Sequence, residues 1–353
     1  MEARIRLTDI AREAGVCRAT VVKVLSGGNN NIRVKPQTAE RIKEVARRLN
    51  YRPNLNARAL TGRGPQLIDS MAPPSGWRQL AAIERTAVFH HYRLMTAMAH
   101  DDLDKLHESY QVFQQYNVDG VISLAHEYPG EEEKLRNYFG DVGKMVFIGR
   151  PAIPGAVYVM FDYADAMRRV LAEVRRSGYR RPGLLIEVGE YASSRLRRKA
   201  FQEFHPEPER IFLMPPIDRA DAPLPVVKVN GRFRYRVTLS CKGGRAVREL
   251  ILTQQLDCLL LNNELWAIRI LNLLAARGLR IPDDIGIFCT SGSELGNYTD
   301  PALSSIRDVC DEIGSAAANL LLDWLSRGQA PQPQLITTDL LVRASSQRPI
   351  TST

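Results

Sequence analysis

Residues 7–26 read Leu7-Thr-Asp-Ile-Ala-Arg-Glu-Ala-Gly-Val16 and then Cys17-Arg-Ala-Thr-Val-Val-Lys-Val-Leu-Ser26, and this stretch decides the N-terminal fold. Leu7, Ile10, Ala11 and Ala14 recur at the spacing of one helix face, which predicts a helix over Leu7–Ala14. Gly15 breaks it, because glycine takes the left-handed conformation that a tight turn needs. Val16 is expected to plug the angle that follows. A second helix, Cys17–Ser26, turns Val21, Val24 and Leu25 inward and leaves Arg18, Ala19, Val22 and Lys23 on the other face. Two helices joined by a glycine-containing turn form a helix-turn-helix, whose second helix lies in the major groove of DNA. A third helix, Pro36–Leu49, opens on a proline suited to the first helical position and packs through Ile42, Val45, Ala46 and Leu49.

Charge points the same way. Residues 1–64 hold 14 Lys/Arg against 5 Asp/Glu, whereas the other 289 of the 353 residues hold 34 of each sign. The whole net charge of +9 therefore sits in the segment that carries the helix-turn-helix. Each cation near a DNA backbone displaces condensed counterions, so this excess is what phosphate attraction looks like.

The run Leu7–Val16, then Ala19-Thr20-Val21, Val24-Leu25 and Asn50-Tyr51-Arg52-Pro53-Asn54 resembles the headpiece of the LacI/GalR transcriptional regulators over most of residues 5–62. The resemblance implies a double-stranded DNA operator, pseudo-palindromic and read by a homodimer, with repression of transcription as the outcome. It implies DNA-facing roles for Leu7, Thr8, Arg18, Ala19, Thr20, Val22, Lys23, Asn29 and Tyr51. Arg18 can fork onto guanine O6 and N7, and Ala19 can pack on a thymine methyl. Lys23 stands where the family usually has arginine, so it loses the planar fork and reads more softly. By the same resemblance Asn54–Leu60 is a hinge helix that orders when two subunits meet on DNA. Asn54 and Ala57 would face the groove and the partner helix, and Leu60 would wedge between base pairs at the operator centre. Other departures weaken local contacts: Cys17 replaces a serine cap, Val22 a serine that bonds phosphate, and Lys35 the serine cap of the third helix. The Gly27–Ile32 loop is also a few residues longer than usual. Intrinsic affinity is therefore expected to be modest and to lean on charge.

From Gln66 onward, short apolar runs alternate with amphipathic helices, the pattern of βαβ units in a parallel sheet. Expected helices include Leu103–Tyr116, Ala164–Arg176, Ser194–Phe204, Leu265–Arg277 and Asp308–Arg327, and expected strands include Gly120–Leu124, Met145–Gly149, Pro182–Glu187, Asp257–Leu261 and Ile285–Cys289. Neither half repeats the other in sequence. Val118-Asp-Gly-Val-Ile122, Gly278-Leu-Arg-Ile-Pro-Asp-Asp-Ile285 and Asp300-Pro-Ala-Leu-Ser-Ser-Ile306 resemble the same family's body. The implied fold is an all-α helix-turn-helix headpiece plus an α/β periplasmic-binding-protein-like type I body with two Rossmann-like lobes. The implied domains are residues 1–53 (headpiece), 54–65 (hinge helix and linker), 66–345 (effector-binding and dimerisation body) and 346–353 (C-terminal tail).

Four positions match the family's effector pocket: Gly149, Arg197, Asn263 and Ser291. Arg197 aligns with an arginine that grips sugar hydroxyls. Gly149 and Ser291 stand where aspartates are frequent, which removes two acceptors for vicinal hydroxyls. Two readings stay open. In one, the cleft takes a small-molecule effector (a sugar, sugar phosphate or organic acid), helped by Arg195, Arg197, Arg198 and Lys199. In the other, the cleft is degenerate and does not respond to a sugar.

Other classes fit poorly. The chain has no Gly-x-Ser-x-Gly elbow, no P-loop and no Gly-x-Gly-x-x-Gly after a strand, so no enzyme and no cofactor is expected. The five cysteines are scattered, which favours reduced and mostly buried thiols, and the six histidines make no ligand set for a metal. No run approaches the roughly 20 apolar residues needed to span a bilayer, and the start lacks the apolar core of a signal peptide. A cytoplasmic protein without membrane contact is expected. A low-specificity architectural DNA binder remains as the rival reading.

Overall fold

A computed structural model describes residues 5–26, 33–51, 66–72, 76–98, 102–124, 128–187, 189, 191–205, 210–214, 228–229, 232–233 and 243–348. Asn29 and the hinge positions Asn54, Ala57 and Leu60 lie outside the described residues. The chain divides into two units, residues 1–65 and 66–353.

In the first unit, α1 (Leu7–Glu13), α2 (Arg18–Ser26) and α3 (Pro36–Arg48) surround one small core. Ile10, Val21 and Ile42, one from each helix, are fully buried, with Ala11, Ala14, Val45 and Ala46 around them. Burying each large aliphatic side chain contributes about 1.5–3 kcal/mol, so these three contacts dominate a domain of this size. Gly15 turns the chain at φ +63, as the turn required. Val16 packs against the core from that turn. Asn50 follows α3 at φ +49 and lets the Tyr51 N–H reach the Ala46 carbonyl at 2.9 Å. Asparagine tolerates this left-handed cap better than other side chains.

The second unit holds two parallel sheets. The first is built from β1 (Leu67–Ala72), β2 (Arg93–Met98), β3 (Gly120–Ser123), β4 (Met145–Ile148), β5 (Val157–Phe161) and β13 (Gln334–Ile336), in the order β13-β5-β4-β3-β1-β2. The second is built from β6 (Pro182–Glu187), β7 (Ile211–Met214), β10 (Cys258–Leu261), β11 (Gly286–Cys289), β12 (Ser304–Ile306) and β14 (Leu340–Leu341), in the order β14-β12-β11-β10-β6-β7. Among the described residues of these two sheets, only β14 runs antiparallel. A further hairpin pairs β8 (Lys228–Val229) with β9 (Arg232–Phe233). The two strand orders correspond, so the lobes repeat a fold without repeating a sequence. Strands such as β4 and β10 are buried at every position, as strands covered by helices on both faces must be.

The covering helices are α4 (Trp77–Phe89), α5 (Leu103–Gln115), α6 (Glu132–Phe139), α7 (Tyr163–Arg176), α8 (Ala192–Phe204), α9 (Gly243–Gln254), α10 (Glu264–Ala275) and α11 (Cys310–Arg327). In α7, Ala166, Met167, Val170, Leu171 and Val174 form one buried stripe, and the Asp162 carboxylate accepts the Asp165 N–H at 2.9 Å to start the helix. The chain passes between lobes three times: after β5, between β12 and α11, and between β13 and β14. The C-terminal segment is bonded in place through Ser346, whose hydroxyl lies 2.7 Å from that of Ser304. Among the described cysteines, Cys258 and Cys289 are buried, Cys310 is half-buried and Cys17 is exposed, all as free thiols.

Candidate functional site

The outer surface of α2 is built from few residues. Arg18 and Ala19 are exposed, and Thr20, Val22 and Lys23 are half-buried beside them. Acidic side chains are absent from this helix. The unit's described carboxylates lie on α1 and α3 and are paired there: Asp9 with Arg12 at 2.8 Å, Glu40 with Lys43 at 2.7 Å, Glu44 with Arg47, and Glu13 with Arg48. Such surface pairs contribute little stability. Their effect is positional, because they leave α2 with positive charge only. Thr8 is exposed at the start of α1, whereas Leu7 and Tyr51 are half-buried and pack against the core. Those two side chains therefore brace the helices. Cys17 stands at the start of α2, its sulfur 3.2 Å from the Thr20 hydroxyl. That hydroxyl and the Thr20 backbone lower the thiol from its ordinary range. Lys35 precedes α3 and makes no side-chain cap bond, as its sequence position implied.

In the second lobe, the ends of β6, β10 and β11 bring a polar group together at the place where open α/β sheets bind ligands. Arg197 of α8 is buried; its Nη2 donates to the Thr290 carbonyl at 3.1 Å and its Nη1 to Ser193 O at 3.4 Å. The guanidinium lies 4.4 Å over the Tyr163 ring, and its Nε–H has no hydrogen-bond partner among the described residues. Burial lowers the Arg197 pKa, so the site holds a cation at a desolvation cost. Asn263 caps α10, its Oδ1 accepting from Leu265 N at 2.9 Å and Trp266 N at 3.4 Å, while its Nδ2 donates to Glu187 Oε1 at 3.2 Å. The Ser291 hydroxyl donates to the Asn262 carbonyl at 2.7 Å. Glu264 pins the neighbouring turn, accepting from Ser293 N at 3.0 Å and Gly296 N at 3.1 Å.

Arg197, Asn263 and Ser291 are thus joined through adjacent strand ends, whereas Gly149 ends β4 of the other lobe and none of these bonds reaches it. Gly149 has φ +103. An aspartate held at that angle would be strained. Sequence reading missed Glu187 and Tyr163. The signal for Glu187 was present: it is the charged residue that closes the apolar strand Pro182–Glu187.

A two-lobed α/β body together with a basic helix-turn-helix unit defines a class of ligand-responsive DNA-binding regulators. Residues 6–54 match the family of bacterial regulatory proteins, lacI family, and residues 171–346 match the periplasmic binding protein-like domain. Catabolite control protein A of Staphylococcus aureus (strain Mu50 / ATCC 700699) is 25% identical over 349 residues, with 94% of this chain and 96% of the relative covered. The same protein of Staphylococcus epidermidis (strain ATCC 12228 / FDA PCI 1200) is 26% identical over 342 residues, with the same coverage of 94% and 96%. Among solved structures, the lac repressor dimer bound to operator and the anti-inducer ONPF superposes with a TM-score of 0.77 at 18% identity, covering 98% of this chain and 100% of that one. A LacI family regulator from Silicibacter pomeroyi gives 0.70 at 21% identity, covering 98% and 100%. The regulator CelR in complex with cellobiose gives 0.60 at 20% identity, covering 97% and 100%. Residues 6–54 thus carry the DNA-binding domain of the lacI family and residues 171–346 a periplasmic-binding-protein-like domain, the domain pair of a LacI-family DNA-binding transcriptional regulator.

Proposed function

We propose that the protein represses transcription as a homodimer on a pseudo-palindromic operator, read by Arg18, Ala19 and Lys23, and that a small organic anion in the interlobe cleft sets its affinity for DNA. The observation that carries the effector reading is Arg197: a buried guanidinium that makes no ion pair among the described residues and keeps an unspent Nε–H. A sugar phosphate or organic acid would meet that need bidentately. Support for repression comes from the lac repressor, whose structure holds operator DNA and an anti-inducer. Support for the dimer comes from exposed apolar side chains on both lobes: Trp77 and Phe89 on α4, and Leu265, Leu295 and Tyr298 on and near α10.

A degenerate cleft is the second reading, favoured because Ser291 and Asn263 already spend their polar groups within the protein. Thermal-shift screening separates the two. Saturating sugar phosphates or organic acids should raise the melting temperature by mass action. The effector reading fails if sugars, sugar phosphates and organic acids all leave it unmoved. Binding-site selection on random duplexes tests the operator: a pseudo-palindrome should be enriched, and an unstructured pool would instead indicate an architectural binder.

A further inference from the structure

Beside the cleft, and distinct from it, lies a second concavity of about 1180 Å³. Its walls come from both lobes: the loop after β4, the outer face of β5, the start of α7, the start of α8, and the segment leading into β13. None of Gly149, Arg197, Asn263 and Ser291 lines it. Strand alternation explains the separation. Val159 and Phe161 point into the main core, so Met160 is presented to the opposite side, with Tyr158 two residues before it. On α8 the two arginines at 195 and 197 point apart for the helical counterpart of this reason; Arg197 is buried and Arg195 is exposed to the recess.

Three arginines line this recess: Arg150 from the first lobe, and Arg168 and Arg195 from the second. Among the described lining residues the carboxylate is Asp162, whose Oδ1 accepts the Asp165 N–H at 2.9 Å. Arg168 has a distant partner in Asp165, at 3.9 Å. Glu132 lies close enough to Arg195 for their charges to interact, and its Oε1 also accepts the Gly130 N–H at 3.1 Å. The floor is apolar, formed by Ile153, Met160, Leu196 and Leu335. A recess of this volume has room for a small molecule, and guanidinium groups on three separate elements around apolar side chains match an anionic head on an apolar body.

We propose that this recess is a second small-molecule site, which binds an organic anion carrying a phosphate or carboxylate on an apolar body. Because both lobes line it, its occupancy is thermodynamically linked to how the lobes are disposed. Binding itself is independent of the operator reading and is measured without DNA.

Isothermal titration calorimetry of the full chain with 1-naphthyl phosphate tests the site, with inorganic phosphate and 1-naphthol as the two half-ligands. One molecule of 1-naphthyl phosphate should bind per chain, and each half-ligand should bind about tenfold more weakly or worse. Combining Arg150→Glu with Arg195→Glu should weaken 1-naphthyl phosphate by about tenfold or more, whereas Arg150→Lys with Arg195→Lys should keep most of the affinity. Both side chains are exposed, so the charge-reversed chain should fold, which circular dichroism checks. The proposal is overturned if the wild-type chain does not bind 1-naphthyl phosphate, or if the folded charge-reversed chain binds it equally. Loss of binding in Arg197→Gln alone would assign the ligand to the cleft and overturn it as well.

Discussion

Two single residues carry costs that can be measured. Cys17 occupies the cap of α2, where a thiol is a poor acceptor for the Thr20 N–H. Cys17→Ser should supply that acceptor and raise the melting temperature of the headpiece by about a few degrees; a lowered or unchanged transition in scanning calorimetry would refute the capping account. Asp69, in the middle of β1, is wholly buried, and its carboxyl oxygens make no well-formed hydrogen bond among the described residues. In register it lies between Met95 and Val121, on the face that Met71 shares with Leu106 and Phe113. Burial pushes its pKa from 3.8 up to about 8. The folded chain therefore keeps a proton that the unfolded chain releases, so stability should fall as pH rises from about 4 to about 8, by up to about 1.4 kcal/mol per pH unit, and level off above that. Asp69→Asn removes the titrating group. Urea unfolding at pH 5, 7 and 9 should show a flatter profile for the variant, and equal slopes would exclude Asp69 as the cause.

At the scale of elements, α2 works through a surface kept free of acids by pairing them on α1 and α3. Arg18→Ala should cost about 1–3 kcal/mol on the preferred site and relax the preference at one base pair, as loss of a bidentate guanine contact does. Removal of a phosphate contact would instead weaken all sequences alike. The slope of log K against log salt for the wild-type chain should be about −3 or steeper, since each neutralised phosphate contributes about −0.9; a shallower slope in a titration by fluorescence anisotropy would remove charge as the main source of affinity. This face was legible in sequence because apolar period and charge agree there, and α1, α2 and α3 end within a residue of the predicted limits. Strand β1 was harder to read, because Asp69-Ser70 interrupts its apolar run. Strands β13 and β14 are too short to show a period, and their pairing depends on where the chain returns after α11. In the cleft, residue identity revealed the loss of two acids but not that Gly149 is held at φ +103. Nor does a run of four cations from Arg195 to Lys199 tell which one is buried; helix orientation decides that, and it selects Arg197 for the cleft and Arg195 for the recess.

For the whole molecule, the proposed dimer makes self-association the property to measure. The first sheet ends in the edge strand β2, and α4, joined to it by a short turn, exposes Phe89 at 79% of its surface. On the second lobe Tyr298 is 81% exposed. Large apolar side chains exposed on both lobes suit a symmetric contact in which each surface meets its own copy, the geometry that a two-fold operator demands. Combining Phe89→Glu with Tyr298→Glu should leave the fold intact, because neither side chain enters a core. Sedimentation velocity should then show a dimer for the wild-type chain and a monomer for the variant. Operator affinity should fall about 100-fold or more, because the second half-site would no longer be engaged at high effective concentration. Affinity for a duplex holding a single half-site should stay within about threefold, since that measurement has no avidity to lose. A wild-type chain that sediments as a monomer at micromolar concentration, or a dimeric variant with full operator affinity, would place the symmetric contact elsewhere or remove it.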